Sequence, residues 1–366
     1  MREEITMEDL GYNDIFETNA AKLKSESDGF LTARVIAEHR GSYRVKNEKG
    51  EYLARVTGKR MFQASSREDY PVVGDFVTIT DLDGEHVTIH NILPRKTLIK
   101  RKHGDKSRDI EKSETQIIAA NVDEAFVVES LDRDFSLNRF ERYFVILNDG
   151  GVKPAIVLNK IDLISKEELD SKMADIKERF SGIEVIPTSS VSEEGLEELR
   201  KHIHKGKTYC FLGSSGVGKS SLINTLLGQD KIKTKDISLD SGRGKHTTTS
   251  REMYFLDNGG IVIDNPGMRE VGMTDSDAGI SDIFDEIIDL AKGCKFADCT
   301  HVSEPGCQVL AALNSGKLDA EKYSNYINLK KEALHYESTE REKKEKERSF
   351  GKFMKTAKRQ LKERKG

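Results

Sequence analysis

Between the apolar runs KTYCFL and LINTLLG lies Gly213-Ser-Ser-Gly-Val-Gly-Lys-Ser-Ser221, the segment that most restricts what this chain can fold into. A strand passing through such a loop into a helix is the context of a phosphate-binding loop, and it requires a mostly parallel α/β sheet around it. The glycines let the backbone curl until its N–H groups and the helix N-terminus face phosphate oxygens. Gly213, Ser214, Ser215, Gly216, Val217, Gly218, Lys219, Ser220 and Ser221 are therefore expected to hold nucleotide phosphates, Lys219 by neutralising the outer two and Ser220 by ligating Mg2+. A glycine-rich turn carrying a stray lysine is the competing reading. The flanking strand and helix favour the loop.

The periodicity on either side agrees. TQIIAANVDEAFVVESL reads as one buried strand, LNRFERYFVILNDG as a helix, KPAIVLN as a strand, KEELDSKMADIKERFSG as a helix, EVIPTS as a strand, EEGLEELRKHIH as a helix and GIVIDNPG as a closing strand. Strands alternating with helices give a doubly wound sheet, whose ligands bind at the C-terminal edge.

Three further motifs each close one of these strands. In Asn159-Lys160-Ile161-Asp162 the carboxylate of Asp162 can accept from the two neighbouring N–H donors that guanine offers and adenine does not, while Asn159 and Lys160 fix the loop and cover the base. Thr188-Ser189-Ser190 fits a loop lining the other side of the base through backbone N–H groups. Asp264-Asn-Pro-Gly267 fits a pair in which Asp264 reaches Mg2+ through water and the Gly267 N–H senses the third phosphate. Singly each is weak, because surface turns are rich in such residues. Together they specify GTP. Their order is unusual, since the base-reading loop precedes the phosphate loop. Joining the usual chain ends and opening new ones between the Asp264 strand and the base-reading half produces that order, so a circular permutation accounts for the whole set.

Between the phosphate loop and Asp264 lies KIKTKDISLDSGRGKHTTTSREM, in which one of Thr247, Thr248 and Thr249 is expected to complete the Mg2+ shell; Thr248 and Thr249 are counted with the GTP-binding residues. A threonine-containing hairpin is the alternative. Met268 follows Gly267 where Ras-like enzymes carry a water-orienting Gln, so that role falls elsewhere, and His246 is the nearest candidate for it. Packing or an RNA contact is the competing role for this histidine.

Cys294-x4-Cys299-x-His301-x5-Cys307 supplies three thiolates and an imidazole, the closed four-ligand set of a structural Zn2+. A disulfide with a spare thiol is the alternative, disfavoured in a reducing compartment. Cys210 stands apart in a strand-like run and reads as a small core residue.

From Phe30 to about Arg101, short runs such as FLTARVIAEH, SYRVKN, EYLARVTG, DFVTITDL and HVTIHNIL alternate with turn residues. Five close strands suit a small oligonucleotide-binding (OB) barrel, with an SH3-like barrel as competitor. The expected organisation is an N-terminal extension (1–28), the OB-fold barrel (29–101), a basic linker (102–112), the permuted GTP-binding domain (113–274), an α-helical zinc-binding domain led by the stripe Ile280, Ile283, Phe284, Ile287 and Ile288 (275–335), and a basic helical tail (336–366). The net charge of −4 conceals an asymmetry: from Arg341 to Gly366 there are 12 Lys or Arg against 4 Glu, a local excess of +8 that leaves −12 elsewhere. Such a tail suits RNA phosphates, an acidic partner or a membrane surface; a solvated charged helix is the plain alternative. No run approaches the ~18 apolar residues of a membrane span, and the acidic N-terminus is unlike a secretory signal, so a cytoplasmic protein without membrane attachment is expected.

With its barrel, NKID ahead of GSSGVGKSS, GKHTTT, DNPG and the CTH-containing cysteine segment, the chain resembles the circularly permuted small-ribosomal-subunit biogenesis GTPases, the RsgA, YjeQ or YloQ family. The resemblance spans most of the chain and leaves the N-terminal extension and the basic tail uncovered. It implies GTP hydrolysis stimulated by the small (30S) ribosomal subunit during late maturation and one structural Zn2+; contact with the subunit's rRNA, Mg2+ with GTP and a cytoplasmic monomer are expected alongside. It also implies a catalytic role for His246. A GTP-dependent zinc-handling protein and a membrane-associated signalling GTPase are the alternatives from other classes.

Overall fold

The computed structural model describes residues 5–24, 29–39, 41–103, 114–131, 135–228, 232, 251–265 and 277–334. They belong to two compact units, Met1–Gly272 and Met273–Gly366. The expected catalytic His246, the threonines Thr247, Thr248 and Thr249, Gly267, Met268 and the basic tail lie outside the described residues.

In the first unit, helix α1 (Asp14–Lys24) precedes five strands: β1 (Leu31–His39), β2 (Ser42–Asn47), β3 (Gly50–Val56), β4 (Phe76–Asp81) and β5 (His86–Ile92). Their order β1-β2-β3-β5-β4 closes when β4 returns to β1, with Leu31 opposite Ile79 and Arg34 opposite Phe76. That is a closed, OB-like barrel. Alternation along the strands turns Ala33, Val35, Tyr43, Val45, Val77, Ile79, Val87 and Ile89 into its core. A short helix α2 (Gly58–Gln63), capped by the Thr57 hydroxyl, bridges β3 to β4. The N-terminal extension is docked on this barrel. Phe16 and Ala20 of α1 are buried with Phe76 and Leu93, and the Phe16 and Phe76 ring centroids are 4.4 Å apart.

The run expected to be one strand, TQIIAANVDEAFVVESL, is two: β7 (Glu114–Ala120) and β8 (Glu124–Ser130). Asn121 breaks it by adopting φ 55, which asparagine tolerates better than most residues, and its amide donates to the Gly74 carbonyl at 3.1 Å. β7 pairs instead with β6 (Leu98–His103), so the basic segment after the barrel forms one strand of a two-stranded antiparallel ribbon.

The remaining elements are α3 (Leu137–Asp149), β9 (Lys153–Asn159), α4 (Lys166–Arg179), β10 (Val185–Pro187), α5 (Leu196–His202), β11 (Thr208–Leu212), α6 (Lys219–Leu227), β12 (Arg251–Phe255) and β13 (Ile261–Asp264). α4 starts on a capping box: the Ser165 hydroxyl accepts from Glu168 N, and the Glu168 carboxylate accepts from Ser165 N. The sheet runs β10-β9-β8-β11-β13-β12, parallel except for β12, and continues through β12 into β1 of the barrel. One eleven-stranded sheet therefore joins both halves.

A buried guanidinium ties them. Arg34, 1% exposed, donates to the carbonyls of Leu10 (2.6 Å), Gly74 (3.3 Å) and Asn121 (3.2 Å) and stacks 4.9 Å over the Phe76 ring. Those carbonyls belong to the N-terminal segment, the barrel and the start of the GTP-binding half. Burial lowers the Arg34 pKa to about 10, which leaves it charged at neutral pH.

In the second unit, α7 (Asp277–Ile283) and α8 (Asp285–Ala291) meet at Phe284 and are followed by α9 (Gln308–Asn314) and a helix over residues 320–334. Ile280, Phe284 and Ile287 of the expected stripe are buried, as are Val309, Leu318, Tyr326 and Leu329.

Replacing Arg34 by Ala strands the buried carbonyls of Leu10 and Asn121, while the Gly74 carbonyl keeps the Asn121 amide, and is expected to cost about 3 kcal/mol, each unsatisfied buried group carrying a penalty of about 1–3 kcal/mol. Urea unfolding checks it; a midpoint equal to that of the unaltered chain contradicts the tie.

Candidate nucleotide site and metal centre

Four expected motifs stand on one edge of the parallel sheet because each follows the C-terminal end of a strand: Thr188 after β10, Asn159 at the end of β9, Gly213 after β11 and Asp264 at the end of β13. In this order the residues expected to read the base fall to one side of the glycine-rich loop and Asp264 to the other. The crevice at such an edge is where ligands bind.

The phosphate loop curls through three left-handed glycines, Gly213 (φ 139), Gly216 (φ 89) and Gly218 (φ 96). Gly213 has no room for a side chain, since a Cβ would stand 2.2 Å from the Val128 carbonyl; at Gly218 it would stand 2.2 Å from the Asn159 amide nitrogen. α6 begins at Lys219 and points its N-terminus into the loop. Val217 is buried in the hydrophobic core, while Ser215 and Gly216 are exposed at the tip and Ser214, Ser220 and Ser221 are half-buried.

The base-reading side is stitched to this loop. Asn159, fully buried, donates from Nδ2 to the Val217 carbonyl at 2.8 Å, and the buried Thr188 hydroxyl lies 3.4 Å from Asn159 Oδ1. Lys160 takes φ 64, which turns the chain so that Ile161 is buried and Asp162 is exposed. The Ser189 hydroxyl donates to Asp162 Oδ1 and accepts from Val191 N (3.1 Å) and Ser192 N (3.0 Å). Ser189 thus contributes a hydroxyl that orients the carboxylate, where the sequence suggested only backbone donors. Ser190 follows it, half-buried.

On the other side, Lys219 is 7% exposed and donates to the carbonyls of Gly213 (2.8 Å) and Ser214 (2.7 Å). Burial pushes its ammonium down to about 8, opposed by Asp264 and Glu129; burial pushes the Asp264 carboxyl up to about 6, opposed by Lys219. Both charges are poorly solvated, so an anion and a cation brought together here recover favourable interactions with them. Asp264 Oδ1 and Asn265 Oδ1 are buried with no hydrogen-bond partner. Hard oxygen donors at a phosphate-binding edge fit Mg2+.

Glu129, at the end of β8, was not singled out in the sequence. It is 1% exposed, accepts from Arg139 at 2.6 Å and adds negative charge near Lys219. The signal available was a carboxylate closing the otherwise apolar run AFVVES.

In the second unit the Cys/His set converges. The ligand atoms of Cys294, Cys299, His301 and Cys307 all lie within 4.8 Å of one another. Cys294 Sγ is 3.8 Å from Cys307 Sγ and 3.6 Å from His301 Nδ1, and Cys307 Sγ is 3.5 Å from the same nitrogen. Tetrahedral metal bonds of about 2.3 Å to sulfur and about 2.1 Å to nitrogen place ligand atoms about 3.6–3.8 Å apart, so these residues fit a metal. His301 (φ 61) is pinned by the Tyr323 hydroxyl, which donates to its carbonyl at 2.6 Å, and Leu310 N and Gln308 N donate to the Cys307 and Cys294 sulfurs. Cys210 is separate and buried, its thiol pushed up to about 12 and accepting from the Asn265 amide.

The profile of the RsgA GTPase family matches residues 92–274. A small ribosomal subunit biogenesis GTPase RsgA of Bacteroides thetaiotaomicron is 41% identical over 89% of each chain, and one of Methanosarcina acetivorans is 44% identical over 86% of this chain and 82% of its own. The chain belongs to the RsgA GTPase family. Solved structures agree: YjeQ from Thermotoga maritima superposes with TM-score 0.60 at 28% identity, covering 83% of this chain and 99% of its own. YloQ, described as a circularly permuted GTPase, has TM-score 0.57 at 22% identity, covering 85% and 96%, and bears on the fold alone. As an RsgA-family GTPase the chain carries its guanine-type motifs in permuted order on an otherwise ordinary parallel sheet.

If Asp162 reads the base, Asp162→Asn removes the acceptor for guanine's paired donors. GTP affinity is expected to fall on the order of 100-fold, as for loss of hydrogen bonds to a charged group, while xanthosine triphosphate gains. Displacement of a fluorescent nucleotide measures both; an unchanged preference for guanine refutes the assignment.

Proposed function

We propose that this RsgA-family GTPase binds the small (30S) ribosomal subunit and assists its late maturation, hydrolysing GTP to GDP and phosphate as a subunit-stimulated binding switch. The observation that carries the reading is the joining, in one chain, of a permuted guanine-nucleotide site with an OB-like barrel and a Cys3His centre. The barrel and the metal-bound segment offer surfaces for rRNA, and the relatives' names supply the small subunit.

In this reading Asp162 selects guanine, with Ser189 orienting its carboxylate and Asn159 fixing the base loop to the phosphate loop. Lys160, Ile161, Thr188 and Ser190 shape the base side. Backbone N–H groups of residues 213–221 hold the phosphates, and Lys219 leaves the loop carbonyls to neutralise the outer two. Ser220, one of Thr247, Thr248 and Thr249 and, through water, Asp264 would hold Mg2+, which screens charge on the phosphates. Gly267 senses the third phosphate, and His246 orients the attacking water. Dissociation of phosphate then releases Gly267 and the threonines. Because Asp264 precedes the Cys/His segment in the chain, this change is passed to the metal-bound domain, which weakens subunit binding. The Cys3His centre holds one structural Zn2+, since a closed set of three thiolates and one imidazole leaves no position for substrate. The protein acts as a cytoplasmic monomer. No helix among the described residues is long and apolar enough to cross a membrane.

Turnover of the purified chain with and without isolated ribosomal subunits tests the proposal. Small subunits are expected to raise it on the order of tenfold or more, within the reach of partner-supplied transition-state stabilisation, and large subunits not at all. Equal stimulation by both, or by neither, contradicts it.

A further inference from the structure

The barrel is fastened to the GTPase sheet in two unlike ways. Around Arg34 the fastening is buried, through the carbonyls of Leu10, Gly74 and Asn121. Along β12 it is an antiparallel seam that, among the described residues, registers Ala37 with Glu252 and Glu38 with Arg251. Part-exposed charges line that seam: Arg251 lies 3.7 Å from Glu38, and Arg44 and His39 lie 3.4 Å and 3.6 Å from Glu252. The Lys46 ammonium sits 5.0 Å over the Phe255 ring. Part-exposed ion pairs are individually weak, so the seam is able to part while the buried tie holds.

The other edge of β12 lies against the phosphate side. Glu252 is registered with Asp264, and opposed residues of an antiparallel pair share a face. Glu252 therefore stands between the carboxylate assigned to the metal side of the nucleotide and the cations of the barrel, with the Tyr254 hydroxyl donating to it at 3.0 Å. In sequence, β12 starts two residues after Thr249.

We infer that β12 couples the nucleotide site to the barrel, with Glu252 as the positioning residue, so that the seam is closed in the GTP form and loosened in the GDP form. The inference rests on the nucleotide assignments above. Asp264 held on the phosphate side fixes β13, the partner strand of β12, which keeps Glu252 within reach of Arg44 and His39. Release of phosphate loosens the hold on Asp264 and β13, and the weakly held edge of β12 opens first. The barrel then pivots about the Arg34 tie, which changes the RNA-facing surface without unfolding either half.

Hydrogen exchange of the full chain with GDP and with a non-hydrolysable GTP analogue tests this without a ribosome. Amides of residues 35–39 and 251–255 are expected to exchange about tenfold more slowly with the analogue, as for closing of a local opening. Arg44→Gln is expected to abolish that difference while β8 and β9 stay protected, and Arg44→Lys to retain it. Equal seam exchange in the two forms, with residues 213–221 protected by both nucleotides, overturns the coupling and leaves the nucleotide site standing. Absence of protection at residues 213–221 overturns both. A full difference in Arg44→Gln overturns the role given to the Glu252 clamp.

Discussion

Across 2.8 Å, the buried amide of Asn159 donates to the carbonyl of Val217, and the two loops proposed to read opposite ends of a nucleotide are thereby held in one geometry. The bond leaves no space for a Cβ on Gly218, so the glycine there is a requirement of the approach as well as of its φ of 96. These loops are 58 residues apart in the chain and appear in inverted order. Parallel strands make the order immaterial, since every strand delivers its C-terminal loop to the same edge whichever strand comes first. Permutation therefore leaves the site intact and alters what the site is attached to.

What it is attached to follows from the new ends. The chain enters the GTPase half at Asn121, where the Arg34 guanidinium binds the barrel and the N-terminal segment to it. It continues past Asp264 and Asn265, whose Oδ1 atoms are buried without a hydrogen-bond partner, toward the Cys/His segment. In the proposed function, a phosphate-sensing residue following Asp264 in the chain reports hydrolysis to the next domain. β12 adds a second outlet, because it carries Glu252 opposite Asp264 on one edge and pairs with the barrel on the other.

Much of this was legible in the sequence where chemistry demands particular residue types. Three glycines and a lysine between a strand and a helix, a carboxylate closing NKID, and three cysteines with a histidine are each too constrained to be written another way, and the described ones converge as their spacing implied. The barrel strands were legible through period-two alternation. Features governed by tertiary contact were not. The break at Asn121 depends on Gly74, 47 residues earlier; the docking of α1 depends on Phe76; and β12 was submerged in a polar, threonine-rich stretch where its alternation of Met253 with neighbouring polar residues is brief. Ser189 as the orienter of Asp162 could not be read from a turn that any strand-to-helix connection might share.

In the proposed function, the nucleotide state of this site sets the grip on the small ribosomal subunit. Equilibrium binding of the full chain to isolated small subunits, with GDP and with a non-hydrolysable GTP analogue, measures it most directly. Binding about tenfold or more tighter with the analogue, within the ordinary range of coupling between two sites, is the result the account predicts. Equal affinities in the two nucleotide states would contradict it.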